Sequence, residues 1–80
     1  MKNIRIVVTD SNTIVVKADT KRFGTDAIMY EGSTFMQCCD YIRRATGRND
    51  FRLESYPMVE TYTDPDGWTM PWLMSVELGK

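Results

Sequence analysis

The side chains that most often perform catalysis or bind metal ions are scarce in this chain of 80 residues. Histidine is absent, and the two cysteines, Cys38 and Cys39, are adjacent. Without histidine, a serine or cysteine nucleophile has to use a carboxylate or a tyrosine as its base. Two cysteines alone cannot supply the four ligands of a zinc site, and the sequence contains no glycine-rich phosphate-binding motif. The sequence therefore predicts a protein that is not an enzyme and that uses neither a metal ion nor a cofactor.

The two cysteines have a structural and a chemical interpretation. A helix is predicted around them, and Cys39 falls on its apolar stripe, where a free cysteine packs as a small hydrophobic residue. The alternative is a reactive thiol whose pKa is lowered by Arg43 or by the start of the helix. We favour packing. Neighbouring cysteines rarely form a disulfide with each other, so the pair also indicates reduced thiols and a cytoplasmic protein.

The apolar residues at the start of the chain do not predict a secretion signal. Their run is interrupted by Arg5 and ends at Asp10, with no small-residue cleavage site after it. No other stretch approaches the roughly 18 consecutive apolar residues that cross a bilayer. We therefore expect no membrane partner and, if a phage encodes the protein, a place in the cytoplasm of the host cell.

Charge is distributed unevenly along the chain, although the net charge is only −1. Residues 1–52 hold nine of the ten basic residues and six of the eleven acidic ones, whereas residues 53–80 hold five acidic residues and one lysine. Such asymmetry can produce two surfaces of opposite sign, and folding can equally interleave the charges. The basic residues at the predicted helix end and in the loop before the helix are Lys21, Arg22, Arg43, Arg44 and Arg48.

These five basic residues suggest a patch that binds nucleic acid, with Phe23 and Tyr41 nearby to stack on bases. However, the isoelectric point of about 5.2 is far below the value typical of nucleic-acid-binding domains. The other interpretation is a solvated helix face whose arginines compensate the helix dipole. The sequence favours this second interpretation.

The segment Asp64-Pro65-Asp66-Gly67 predicts a tight turn, because Pro65 fixes φ at the second position and Gly67 tolerates a positive φ. It also begins like a calcium-binding loop, but a proline separates the two acids and no glutamate follows at the distal position. From Trp68 to Leu78, large apolar residues then alternate with their neighbours in the longest run of period two in the chain.

This alternation favours Trp68 and Trp72 as core residues, with an interface as the alternative. One helix cannot cover every large side chain in this part of the chain, so we expect some aromatic surface to stay exposed. The predicted binding surface on this C-terminal hairpin consists of Glu60, Tyr62, Asp64, Asp66, Trp68 and Leu73. Pro71 indicates an edge strand or a bulge, and an edge can pair with a partner strand or with a second copy in a homodimer.

Periodicity divides the chain into one helix and several strands. In chain order we predict strands at 4–8 and 13–18, a loop at 19–24, a short strand or irregular segment at 27–30, a helix from the N-cap Ser33 to about Thr46, and strands at 51–56, 58–63 and 68–78. The sequence therefore predicts a single globular α+β domain over residues 1–80. Its antiparallel sheet has four to five strands in the order β-β-(β)-α-β-β-β, with a single helix packed on one face.

In its small size, lack of catalytic groups and segregated charge, the chain resembles the small proteins that phages and mobile elements make to block host defence or transcription machinery. The resemblance implies an inhibitor of a larger host complex, and it assigns no residues. We expect a non-catalytic protein-binding module that uses its acidic, aromatic hairpin against a basic surface of the partner. The alternative is a small RNA- or DNA-binding domain that uses the five basic residues.

Overall fold

The computed structural model describes residues 1–10, 12–55 and 60–78, and the elements given below lie within these ranges. In chain order they are β1 (Lys2–Asp10), β2 (Thr13–Thr20), β3 (Gly24–Gly32), α1 (Phe35–Thr46), β4 (Arg52–Ser55), β5 (Thr61–Thr63), β6 (Thr69–Pro71) and β7 (Leu73–Glu77). Five strands form an antiparallel sheet in the order β3-β2-β1-β7-β4, and β5 pairs with β6 in a separate two-stranded sheet. The predicted α+β class, with one helix against an antiparallel sheet, is confirmed.

The central strands β1, β2 and β7 supply most of the core. Ile6 pairs with Val16 on one side and with Met74 on the other, so these three side chains point to the same face of the sheet. The alternation that predicted the first hairpin therefore places one face of these strands against the helix. The buried cluster consists of Ile4, Ile6, Val8, Ile14, Val16, Ala18, Cys38, Ile42, Met70, Met74 and Val76.

The helix begins one residue later than predicted, because Thr34 rather than Ser33 is the N-cap. Gln37 lies three residues after Thr34, so its side chain accepts a hydrogen bond from the Thr34 N–H while the Thr34 hydroxyl accepts one from the Gln37 N–H. Ser33 has a methionine at the corresponding position and cannot form this reciprocal pair. The predicted end is confirmed: Gly47 adopts the left-handed conformation, and its N–H donates to the Arg43 carbonyl over 2.8 Å.

The sequence pattern predicts an apolar stripe of Phe35, Cys39 and Ile42, widened by Cys38 and Ala45, and the structure departs from it at the last turn of the helix. Cys38, Cys39 and Ile42 are buried, whereas Ala45 is exposed. Tyr41 lies on the same flank one turn earlier, and its ring stacks on Tyr30 of β3 with 5.1 Å between the ring centroids. This large ring, and not the methyl group of Ala45, widens the contact between helix and sheet.

The long run predicted as one strand at 68–78 is divided at Trp72 between the two sheets. Pro71 pairs with Thr61 in the small sheet. The Trp72 N–H then donates to the Glu60 carbonyl over 3.0 Å, while the Trp72 carbonyl accepts from the Val8 N–H over 2.9 Å. The Trp72 N–H thus binds the residue before β5, and the Trp72 carbonyl binds β1. The chain therefore passes from the small sheet to the large sheet at Trp72.

Strand boundaries differ most on either side of the helix. The β2 strand continues to Thr20 and β3 begins at Gly24, so the predicted loop at 19–24 is reduced to a short turn. The segment at 27–30 belongs to a full strand. The strands predicted at 51–56 and 58–63 correspond to the shorter β4 and β5, and residues 56, 58 and 59 lie outside the described residues.

The face of the five-stranded sheet opposite the helix, here called the open face, carries an ion-pair network. Asp26 has a φ of +60°, which aspartate adopts more readily than most residues, and its carboxylate pairs with both Arg5 and Lys17. Arg5 also lies 3.5 Å from Asp19, whose carboxylate accepts hydrogen bonds from the Asn3 side chain and the Asp26 N–H. This network holds residues 19–26, of which 19–24 were predicted as a loop, against the sheet.

The network predicts a loss of stability in acid. The hydrogen bond from Asn3 lowers the pKa of Asp19, and the hydrogen bonds from Arg5 and Lys17 lower the pKa of Asp26. A lowered pKa in the folded state stabilises the fold above the ordinary value of about 3.9, and this contribution disappears as the pH falls through the lowered value. We therefore expect urea titrations to give a free energy of unfolding that decreases below about pH 4.

The double variant D19N/D26N provides the control for this prediction, because amides do not titrate. Its stability should be lower than that of the wild type at neutral pH and should depend less steeply on pH in the acid range. Equal acid sensitivity in the two proteins would contradict a role for the network.

Candidate functional site

The carboxylate of Asp64 is buried between the β5–β6 hairpin and the start of the helix, with 4% of the residue exposed. One oxygen, Oδ2, accepts from the N–H of Phe35, the first helical residue, over 2.8 Å. The other, Oδ1, accepts from the N–H groups of Asp66 and Trp68 over 3.0 and 2.9 Å. The Asp64 carbonyl also accepts from the Gly67 N–H over 3.0 Å, which closes the predicted turn. One side chain therefore connects the turn to the helix N-terminus, where negative charge is favourable.

Asp64 was predicted as part of the partner-binding surface, but the structure buries its carboxylate among backbone N–H groups. The sequence pattern identified the turn correctly, but it did not reveal that the first acid points inward to three backbone N–H groups. Asp66 is exposed in the same turn and is the acid that a partner can reach. Glu60 is also exposed, and its carbonyl is occupied by the Trp72 N–H.

Removing the Asp64 carboxylate should destabilise the protein strongly. In D64A, three backbone N–H groups lose their acceptor in a buried place, so we expect the free energy of unfolding to fall by about 3 kcal/mol. The matched control is D66A in the same turn, for which we expect a change below about 0.5 kcal/mol because the side chain is exposed. Denaturant titration measures both values, and equal stabilities of D64A and D66A would contradict the assigned role.

The indole of Trp68 is on the surface, with 52% of the residue exposed, so the prediction of a core position is wrong for this residue. Trp68 follows the same alternation as the buried Met70, but it lies next to the turn, beyond the last pair of the β5–β6 hairpin. The ring of Phe35 lies beside it, at a centroid distance of 6.1 Å. The alternation gave the direction of the side chain correctly and did not show where the core ends.

Trp72 and Tyr62 are half-buried against the core, as predicted for Trp72. Their rings meet edge to face at 6.0 Å, and the Trp72 indole N–H donates to the Thr61 carbonyl over 3.3 Å. Tyr62 was predicted as part of the partner-binding surface, but it pairs with Met70 and therefore shares the inward face of the hairpin. Tyr62 supports the hairpin from inside.

Leu73 lies on a different surface from Trp68. It pairs with Val7 on the open face of the large sheet, where it borders a depression of about 340 Å³ together with Arg5 and Glu77. The passage of the chain between sheets at Trp72 separates Leu73 from the hairpin. Of the six predicted contact residues, the structure therefore leaves Glu60, Asp66 and Trp68 on the exposed surface of the hairpin.

An apolar groove of about 300 Å³ runs between the hairpin and the edge strand β4, and it is here called the Trp68 groove. It is lined by Phe35, Leu53, Ser55, Trp68, Thr69, Met70, Pro71 and Met74. None of these side chains is charged. Sequence reasoning missed Phe35 and Leu53, because the helix start and a strand that precedes the hairpin are brought together only by tertiary contacts.

The basic residues of the alternative prediction do not form a single free patch. Arg43 pairs with Asp40 at 2.9 Å and lies over the Phe51 ring, 5.6 Å from its centroid. Arg48 pairs with Asp50 at 2.9 Å, and the hydrogen bond to this carboxylate raises the pKa of Arg48.

The remaining three basic residues are exposed, Arg44 on the helix and Lys21 and Arg22 in the β2–β3 turn. The Arg22 guanidinium lies 5.2 Å from the centroid of the adjacent Phe23 ring. The arrangement agrees with a solvated helix end whose charges are partly neutralised by local acids.

The cysteines are buried and free. Burial raises the pKa of Cys38 to about 12, and its thiol contacts the Ile14 carbonyl at 3.6 Å. Burial also raises the pKa of Cys39, although Arg43 acts in the opposite direction. At both positions burial therefore disfavours the thiolate form that a nucleophile requires.

Thiol labelling should consequently report unfolding. At pH 8 we expect a disulfide reagent such as DTNB to react with the native protein only as fast as the core opens, and with the urea-unfolded protein immediately. A variant C39A isolates the reaction of Cys38. Rapid labelling of native C39A would contradict the packing role.

Across residues 1–10, 12–55 and 60–78, no group of three Cys, Asp or Glu side chains is arranged to hold a metal ion. Among the helical residues that the structure describes, none belongs to a helix long and apolar enough to cross a membrane. Comparison of the chain with protein-family models, with curated proteins and with solved structures found no match.

Proposed function

We propose that this protein is a non-catalytic binding module that holds another protein at the Trp68 groove. The observation that carries the proposal is the half-exposed indole of Trp68 at the edge of an uncharged groove. Tryptophan contributes large contact area and is enriched among the residues that dominate binding energies. A partly covered indole beside an apolar groove is a favourable anchor for a partner side chain.

The character of the groove favours a protein over a small molecule. Its volume of about 300 Å³ is at the lower limit of small-molecule sites, which span about 300–1,000 Å³. Small-molecule sites usually add a few precisely placed polar groups, and here the lining residues offer the hydroxyls of Ser55 and Thr69 and the Trp68 indole N–H, with no charged group. An apolar side chain presented by a partner protein suits this surface better.

Two exposed acids give the site its electrostatic character. Asp66 lies two residues from Trp68 in the turn, and Glu60 precedes β5 in the same hairpin. Their charge favours a partner with a basic surface, for which complementary charge raises the association rate and the specificity. A partner surface that normally holds nucleic acid has this character. We therefore propose that the protein inhibits a larger host complex in the cytoplasm.

Substitution at the exposed indole tests the proposal. In W68A and in D66K we expect loss of the partner recovered by affinity capture from host extract treated with nuclease, because one change removes the anchor and the other reverses the charge beside it. The thermal midpoints of both variants should stay near that of the wild type, since neither side chain is buried. F23A is the matched control, because Phe23 is also an exposed aromatic residue and lies in the β2–β3 turn, outside the Trp68 groove.

The variant R43E/R44E separates the proposal from nucleic-acid binding. We expect it to retain the captured protein, whereas a nucleic-acid-binding domain would lose its ligand and show a steep dependence on salt. Capture that survives W68A and D66K but is lost in R43E/R44E, or on nuclease treatment, would overturn the proposal in favour of the basic residues.

A further inference from the structure

The outer edge of β4 is unpaired within the part of the chain that the structure describes. One side of β4 pairs with β7, and β4 is the last strand in the sheet order β3-β2-β1-β7-β4. An edge strand presents N–H and C=O groups that can pair with another strand. The Trp68 groove adjoins this edge through Leu53 and Ser55, so pairing there would also cover apolar surface.

The other edge of the sheet, β3, is less suited to pairing. Asp26 lies within it at a φ of +60°, and the register of β3 against β2 shifts twice along its length. Such irregularities bend an edge strand and interrupt the regular spacing of its donors and acceptors. In the register of β4 against β7, by contrast, successive residues from Arg52 to Ser55 pair without a shift.

We propose that two copies of this chain pair through the outer edges of β4 and form one continuous antiparallel sheet. The two-fold axis would be perpendicular to the sheet, because only this axis joins two identical edges side by side in antiparallel orientation. Each face of one copy then continues as the same face of the other. The two helices and the two Trp68 grooves lie on one side of the extended sheet.

The charges of β4 select one register for this pairing. With the two-fold axis at Leu53, the Leu53 residues of the two chains face each other. Arg52 of each chain then faces Glu54 of the other. With the axis at Arg52 or at Glu54, two identical charges face each other, and like charges directly opposite are destabilising. With the axis at Ser55, the residues opposite Arg52 and Glu54 lie beyond the end of β4. Among the registers with the axis on a residue of β4, the one at Leu53 is self-complementary.

Within a single chain, Arg52 is directly opposite Glu77 of β7, and Glu54 is opposite the uncharged Ser75. Arg52 and Glu54 are largely exposed, and the distance between Arg52 Nη2 and Glu54 Oε1 is 3.9 Å, at the outer limit of an ion pair. Both residues point to the open face, since Glu54 is opposite Ser75, which is itself opposite Arg5. In the dimer each of them gains a partner directly across the interface, while Leu53 is covered on the other face.

Charge exchange tests the register without touching the Trp68 groove. Sedimentation equilibrium from about 1 µM to 1 mM should show the wild type in a monomer–dimer equilibrium with a dissociation constant on the order of 10⁻⁵–10⁻⁴ M, as suits a small interface. In R52E alone or E54K alone, like charges face each other twice, so we expect the dissociation constant to rise about tenfold. The double variant R52E/E54K restores opposite charges and should dimerise like the wild type.

A mixture of the two single variants gives the sharpest result. R52E and E54K are complementary to each other in the register at Leu53, so an equimolar mixture should form a mixed dimer that neither variant forms alone. A wild type that stays monomeric at about 1 mM, the highest concentration of the experiment, would overturn the proposal. So would single variants that dimerise unchanged, or a mixture that remains monomeric. Unchanged circular dichroism spectra confirm folding, because both side chains are exposed. None of these results depends on the proposed binding of another protein.

Discussion

The buried carboxylate of Asp64 is the interaction on which the arrangement of this molecule depends. The helix has no acidic residue in its own first turn, and the negative group at its N-terminus comes from a residue 29 positions further along the chain. Because the same carboxylate also accepts from the Asp66 and Trp68 N–H groups of the turn, it fixes the hairpin relative to the helix. The Trp68 groove is a product of this link, since Phe35 comes from the helix and Trp68 comes from the hairpin.

The two sheets differ in how much of the buried core they supply. The five-stranded sheet and the helix supply nearly all of the buried cluster, to which the hairpin contributes Met70. The hairpin is thus a small attachment, joined at Trp72 and at Asp64, that holds an aromatic side chain away from the core. In such an arrangement the large sheet provides stability, and the exposed surface of the hairpin is free to serve recognition.

Sequence periodicity predicted the parts of the fold that local patterns determine. The first hairpin, the helix with its glycine end, and the Asp64-Pro65-Asp66-Gly67 turn were all recognised, because alternation, capping and turn residues act over a few positions. The direction of the Asp64 side chain and the exposure of Trp68 were not, because both depend on contacts between the helix and the hairpin. The same limit applies to the groove, whose walls come from separate parts of the chain.

The Asp64 link also determines how this surface loop can change in evolution. Surface turns usually accept insertions and deletions, because few contacts depend on their length. Here the spacing between the carboxylate and the two N–H groups it binds within the turn, those of Asp66 and Trp68, leaves no room for an added residue. The turn can therefore vary in its exposed side chains, such as that of Asp66, while its length stays fixed. We therefore expect this turn to tolerate substitution at its exposed positions and to lose stability on insertion.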